Sequence, residues 1–124
     1  MMQLVAVGLG GFLGAVLRYG ASRLVAERFD GSLPLATLVV NVVGCLAIGA
    51  VWGWSEGEHE LSEPVRLFLT VGLLGGLTTF STFGFETVSL LRDGEHGTAF
   101  ASLALNLFLG LGGVVLGRLL GKLL

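Results

Sequence analysis

The sequence predicts an all-α integral membrane fold of four transmembrane helices, with a break in the third. Three observations predict it. The 124 residues are 53% hydrophobic and only 13% charged, whereas a soluble domain carries about 25% charged residues; the mean hydropathy is +0.87. Uncharged runs recur at Met1–Leu17, Gly31–Ser55, Leu67–Phe85 and Gly97–Gly117, each near the roughly 17–25 residues that a helix needs to cross a bilayer. The third run contains Gly75-Gly76-Leu77-Thr78-Thr79. Backbone polar groups in hydrocarbon must find partners, so a Gly/Thr interruption is tolerated there only where protein buries it or it lines a wet cavity.

The first helix is expected over about residues 3–26. Its uncharged run reaches about 26 Å at ~1.5 Å per residue, short of the roughly 30 Å hydrocarbon core, so Arg18 falls at the edge of the bilayer. It lacks a basic n-region, and Ala21-Ser22-Arg23 is a poor cleavage site, so it reads as a retained helix rather than a signal peptide. Ser32 and Pro34 open the second helix, over about 33–54, with proline tolerated in a first turn. Trp52 and Trp54 near its end fit an interfacial aromatic belt. After the acidic stretch Gly57–Glu63, Ser62 and Pro64 open the third helix, over about 64–91; the loop Arg92–His96 leads into the fourth, over about 97–121. Residues 1–124 therefore read as a single four-helix membrane domain.

Small residues recur at helical spacing: Gly10/Gly14, Gly49/Gly53, Gly72/Gly76 and Gly113/Gly117/Gly121. In lipid this spacing lets helix backbones approach closely. Gly8-Leu9-Gly10-Gly11-Phe12-Leu13-Gly14 also imitates a dinucleotide fingerprint, but that motif needs a βαβ unit, and four spans leave no sheet; no nucleotide is expected. A net charge of −2 points away from a nucleic-acid partner. Cys45 is the lone cysteine and forms no intramolecular disulfide; it reads as a small core residue. His59 and His96 stand in different loops, so no nucleophile–His–acid set and no metal cluster is expected, and the chain does not read as an enzyme.

Four spans place Arg66, Arg118 and Lys122 on one side of the membrane and Arg18, Arg23, Arg28 and Arg92 on the other. Lys/Arg asymmetry sets orientation, and three against four is almost none. The chain is therefore expected to insert both ways and to pair with a second copy of itself as an antiparallel, dual-topology homodimer. Four spans are too few to enclose an aqueous pathway easily, and such a dimer of eight helices could do it.

The polar groups at depth are few: Asn41; Thr78, Thr79, Ser81, Thr82 and Glu86; Ser102 and Asn106. Thr82 and Glu86 are i, i+4, as are Ser102 and Asn106, so each pair shares a helix face. The set is rich in donors and has no base except Arg18 at the rim, which suits transit of a small anion that must also be released. Phe80 and Phe83 lie i, i+3 beside these groups. Their ring edges carry positive potential that could hold a partly dehydrated anion, and packing alone would also explain the pair. Glu86 is open between three states: protonated, hydrogen-bonded to a hydroxyl such as that of Thr82, or carrying protons in coupled transport.

Gly10-Gly11-Phe12-Leu13-Gly14-Ala15-Val16-Leu17-Arg18-Tyr19, Thr37-Leu38-Val39-Val40-Asn41-Val42-Val43-Gly44 and, most specifically, Gly75-Gly76-Leu77-Thr78-Thr79-Phe80-Ser81-Thr82-Phe83 resemble the CrcB/Fluc fluoride channel family, across essentially the whole chain. The resemblance implies a fluoride-selective channel that passively exports cytoplasmic fluoride through the inner membrane of a bacterium, as an antiparallel homodimer with two pathways. It implies that the ring edges of Phe80 and Phe83 face fluoride and that Asn41 donates to it. Thr82, Glu86, Ser102 and Asn106 would form a polar track, and Arg18 would attract anions into a vestibule. Backbone carbonyls of Gly75 and Thr78 would hold a structural sodium ion at the dimer interface. Members often carry Tyr or Ser where this chain has Ser102 and Gly110. Two other readings remain: a small multidrug transporter, which needs a carboxylate in the first helix where this chain has none, and a non-transporting assembly subunit.

Overall fold

A computed structural model describes residues 1–57 and 60–124, and His59 lies outside the described residues. The elements are α1 (Met2–Arg28), α2 (Leu35–Ser55), α3 (Glu63–Leu67), a π-helical segment (Phe68–Leu74), α4 (Gly75–Leu77), α5 (Phe80–Arg92) and α6 (His96–Leu123). From α3 to α5 the chain makes one crossing, Glu63–Arg92, so among the described residues four stretches are long and apolar enough to span a membrane. Pro34 is the N-cap of α2, and Ser62 is the N-cap of α3 with Pro64 in its first turn. Gly94, at φ +80°, turns the chain between α5 and α6, a conformation that a side chain would strain.

The crossings pack in two glycine seams. α1 lies against the first half of the third crossing. A Cβ at Gly10 would meet the Phe68 carbonyl and stand 3.0 Å from Gly72 Cα; one at Gly14 would meet the Leu73 carbonyl and stand 3.0 Å from Gly76 Cα. α2 lies against α6. There Gly49 and Gly53 face the carbonyls of Val114 and Arg118, while Gly117 and Gly121 face those of Leu46 and Ala50. The glycine pairs read from the sequence are thus backbone contacts. In lipid no hydrophobic force draws helices together, so this close van der Waals approach is what associates them.

At the ends of α2 and α6, Arg118 forks onto Glu56 (Nη2–Oε1 2.9 Å) and Lys122 Nζ reaches Glu56 Oε2 at 3.0 Å. The Arg118 guanidinium also stacks 4.6 Å from the Trp52 ring centre. These contacts close the seam on its water-facing side. Few apolar side chains are fully buried; among the described residues they are Leu38, Val40, Leu74 and Ala99, and large apolar groups cover the outside. Such an outside suits lipid and further helices.

The third crossing breaks after Leu77. Thr78 (φ −86°, ψ 157°) and Thr79 (φ −151°, ψ 118°) are extended, and α5 restarts with Thr79 as its N-cap. The Thr79 hydroxyl oxygen accepts from the Thr82 N–H at 3.2 Å, which satisfies one of the first orphan donors of α5.

Candidate functional site

An extended residue inside a membrane presents an N–H and a C=O that no helix satisfies. Asn41, on α2 opposite the break, meets both. The Thr79 N–H donates to Asn41 Oδ1 at 2.9 Å, and Asn41 Nδ2 donates to the Thr79 carbonyl at 3.3 Å. The second N–H of Asn41 goes to Asn106 Oδ1 at 3.1 Å, and Asn106 Nδ2 donates back one turn to the Ser102 carbonyl at 2.9 Å. A primary amide accepts through its oxygen and donates two hydrogens through its nitrogen, so one side chain can meet both groups and still reach a third.

These diversions free particular carbonyls. In an unbroken helix the Thr79 N–H would bond Gly75 O, and the Thr82 N–H would bond Thr78 O. Both donors are committed instead to side-chain oxygens, of Asn41 and Thr79 respectively. The carbonyls of Gly75 and Thr78 therefore lack their helical partners. They are hard oxygen donors suited to an alkali or alkaline-earth cation, and both residues line the groove described next.

Two concavities meet at the break. The larger is an open apolar groove of about 860 Å³, whose walls include Asn41, Asn106, Phe80, Phe83, Gly75 and Thr78. The Phe80 and Phe83 rings stand 5.7 Å apart, tilted by 57°, within the range of favourable aromatic pairs. Phe80 is 82% exposed, an unusual state for a phenylalanine at the centre of a span. The smaller concavity, about 230 Å³, is lined by Arg18, Tyr19, Thr37, Thr79 and Thr82 among others. Thr79 borders both. The N-terminus of α5 opens here, adding the partial positive charge of a helix dipole.

The structure thus brings Asn41, Asn106, Phe80, Phe83, Gly75 and Thr78 to one concavity, and Arg18 and Thr82 to the other. Glu86 and Ser102 line neither. The hydroxyl bonded to Glu86 is not that of Thr82, as sequence spacing suggested. Thr37 Oγ1 donates to Glu86 Oε1 at 2.8 Å, while Thr82 Oγ1 accepts from Thr79 Oγ1 at 3.1 Å. The N-cap geometry of Thr79 draws Thr82 toward itself, and α2 brings Thr37 to the carboxyl. Glu86 Oε2 and Ser102 Oγ are buried with no hydrogen-bond partner among the described residues, and Ser102 is only 1% exposed. Thr37 and Thr79 were missed as site residues; each lies inside a motif stretch already singled out, which was the available signal.

Comparison with known proteins follows this geometry. A family model described as "CrcB-like protein, Camphor Resistance (CrcB)" matches residues 5–118. A Clostridium novyi protein named "Fluoride-specific ion channel FluC" is 44% identical over 119 residues, covering 96% of this chain and 93% of its own. Proteins of the same name are similar in Clostridium perfringens, 44% identical over 100% of this chain and 97% of that one, and in Chloroflexus aurantiacus, 43% identical over 98% and 97%. With its matched span, its four crossings and the polar break in the third, this chain belongs to the CrcB family.

Proposed function

We propose that the chain is a fluoride-selective channel that passively exports cytoplasmic fluoride across the inner membrane of a bacterium, lowering its intracellular concentration and toxicity. It is not an enzyme. The observation that carries the reading is the meeting of two concavities at Thr79, lined by amide, hydroxyl and aromatic groups, with Arg18 the one base among the described residues of their walls. The full-length similarity to proteins named fluoride-specific channels supports it. Donors without fixed positive charge favour an anion weakly enough to let it go. Arg18 concentrates anions at the mouth, the α5 N-terminus adds positive potential, and the edges of Phe80 and Phe83 add more. Thr82 and Asn106 continue the track along the walls, with Glu86 and Ser102 behind them as its buried polar backing.

The working unit is an antiparallel, dual-topology homodimer. The exposed Phe80 and the long apolar groove beside it support a second copy as the surface that covers them, and the charge balance of three against four supports opposite insertion. At that interface the Gly75 and Thr78 carbonyls of each copy would hold a sodium ion, which supplies positive charge that ties the two breaks together. Hydrogen fluoride is neutral and enters through lipid; it dissociates in a less acidic cytoplasm, and the trapped fluoride leaves down its electrochemical gradient.

The test is efflux from liposomes that hold the purified protein, read with fluoride and chloride electrodes, with valinomycin and potassium clamping the potential. Valinomycin-dependent fluoride release without chloride release is expected. Absence of fluoride release from a verified dimer refutes the reading, and Glu86-dependent drug uptake in its place would favour a multidrug transporter.

A further inference from the structure

The donor expected to meet the anion, Asn41, has no N–H to spare. The orientation of both amides follows from their partners. The Thr79 N–H can only donate, so the Asn41 atom 2.9 Å away is oxygen. The Ser102 carbonyl can only accept, so the Asn106 atom 2.9 Å away is nitrogen. What remains is Asn41 Nδ2 facing Asn106 Oδ1 at 3.1 Å, donor to acceptor. The other N–H of Asn41 serves the Thr79 carbonyl, and a primary amide has two. An anion can therefore reach a donor on Asn41 only by taking one from a present partner. Loss of the Thr79 bond would strand a backbone carbonyl at the break. Loss of the Asn106 bond strands only a side-chain oxygen, on a residue that lines the open groove.

Building on the channel reading above, we infer that Asn106 is a placeholder for the transported anion: its Oδ1 occupies the Asn41 N–H in the empty pathway, and fluoride passes this level by displacing it. A charge-assisted hydrogen bond is roughly twice as strong as a neutral one, so fluoride wins the exchange on arrival. Asn106 then competes for the same N–H and hastens departure. Asn106 keeps hold of its own helix throughout, through Nδ2 and the Ser102 carbonyl, so the exchange needs only a small swing of one amide. Asn106 is on this account a positioning residue: it sets how tightly Asn41 holds the ion.

Asn106→Leu keeps the branching pattern of the side chain and removes the competing acceptor. Half-saturating fluoride, measured as channel current against fluoride concentration in planar bilayers, should fall about fivefold, the equivalent of one net neutral hydrogen bond. A residue that simply donated to fluoride would change it the other way, so an unchanged or raised value overturns the inference. A second readout needs no current. Asn41 and Asn106 are the only asparagines in the chain, so ¹⁵N-asparagine labelling in nanodiscs gives two side-chain amide pairs, assigned with Asn106→Ser. Sodium fluoride, and not sodium chloride, should move one Asn41 N–H resonance strongly downfield in the wild-type protein. If Asn106→Leu fails to assemble, this titration decides alone, and an unmoved Asn41 amide overturns the inference. A wild-type protein that conducts while its Asn41 amide stays still defeats the placeholder only. A wild-type dimer that releases no fluoride defeats the channel reading itself.

Discussion

Gly117→Ala isolates what the α2–α6 seam is worth. A Cβ at Gly117 would meet the Leu46 carbonyl oxygen and stand 2.9 Å from both Leu46 C and Ala50 N, where ordinary van der Waals contact is 3.4–4 Å. All three are backbone atoms of α2, which no rotamer change can move. The helices must separate by about half an ångström or more, which forfeits a quarter to a half of the dispersion well for every pair along the seam. Overpacking of this kind costs about 1–3 kcal/mol. Glycine to alanine in a helix also returns about 1 kcal/mol of propensity, so the informative quantity is a difference. Gly112 lies on the same helix with nothing within 4 Å of its ideal Cβ, and Gly112→Ala carries the propensity gain alone. Gly117→Ala should be less stable than Gly112→Ala by about 1–3 kcal/mol, a factor of roughly 5–150 in the folding equilibrium. Denaturant titration in detergent micelles, followed by the fluorescence of Trp52 and Trp54 on α2, measures it. Equal stability of the two variants would refute the claim that backbone contact holds this seam.

Three further outcomes follow from the same contacts. Hydrogen bonds from Arg118 and then Lys122 hold the Glu56 carboxyl, at the water-facing end of α2, below the usual carboxylate range. That stabilisation is present above the unfolded value of about 4.3 and is lost as pH falls through the lowered folded value; thermal scans from pH 7 to 3 should show it, and Glu56→Gln should flatten that acid limb. Thr37→Val removes the hydroxyl that donates to Glu86 at 2.8 Å and should slow fluoride efflux a few-fold, about one net hydrogen bond, with the size-exclusion elution volume unchanged. Asn41→Leu orphans the Thr79 N–H and C=O; at about 1–3 kcal/mol for each unsatisfied group it should lower stability in micelles and abolish efflux, and it should weaken any stabilisation gained by replacing choline with sodium.

Much of this architecture is legible in the sequence because each feature has a local cause. Uncharged run length gives the four crossings. Gly75-Gly76-Leu77-Thr78-Thr79 gives the break, since Gly and Thr at depth read as freed backbone. The i, i+4 glycines give the seams, because a helical repeat puts them on one face. The contacts that organise the site are of another kind. Thr79 and Asn41 are 38 residues apart, and Thr37 and Glu86 are 49 apart. Pairings at that distance depend on how far each helix is turned and slid against its neighbour, and periodicity within one helix carries neither quantity. Ser102 illustrates the limit: its spacing from Asn106 put both on one track-facing stripe, yet its hydroxyl is sealed while Asn106 lines the groove. The π-helical turn at Phe68–Leu74 likewise has no residue pattern that announces it.

The break also explains how one short segment could serve ions of opposite sign. Interrupting a helix creates two new ends of opposite polarity: carbonyls face outward where the first half stops, and N–H groups where the second half starts. Here the two ends are separated by only Thr78 and Thr79. Asn41 and the Thr79 hydroxyl satisfy the groups of the extended link, and by doing so they deny Gly75 and Thr78 their usual donors. The carbonyl end then suits a small hard cation, and the N–H end, beside amides and phenylalanine rings, suits a small hard anion. Neither needs a buried formal charge, which would bind its ion too tightly to release it and would cost several kcal/mol to desolvate. A multidrug carrier faces the opposite requirement, a carboxylate placed to hold an organic cation, and the first crossing carries only Glu27, exposed in its last turn and paired with Arg23. The chemistry of the break itself, apart from any likeness to other proteins, therefore favours passage of a small anion.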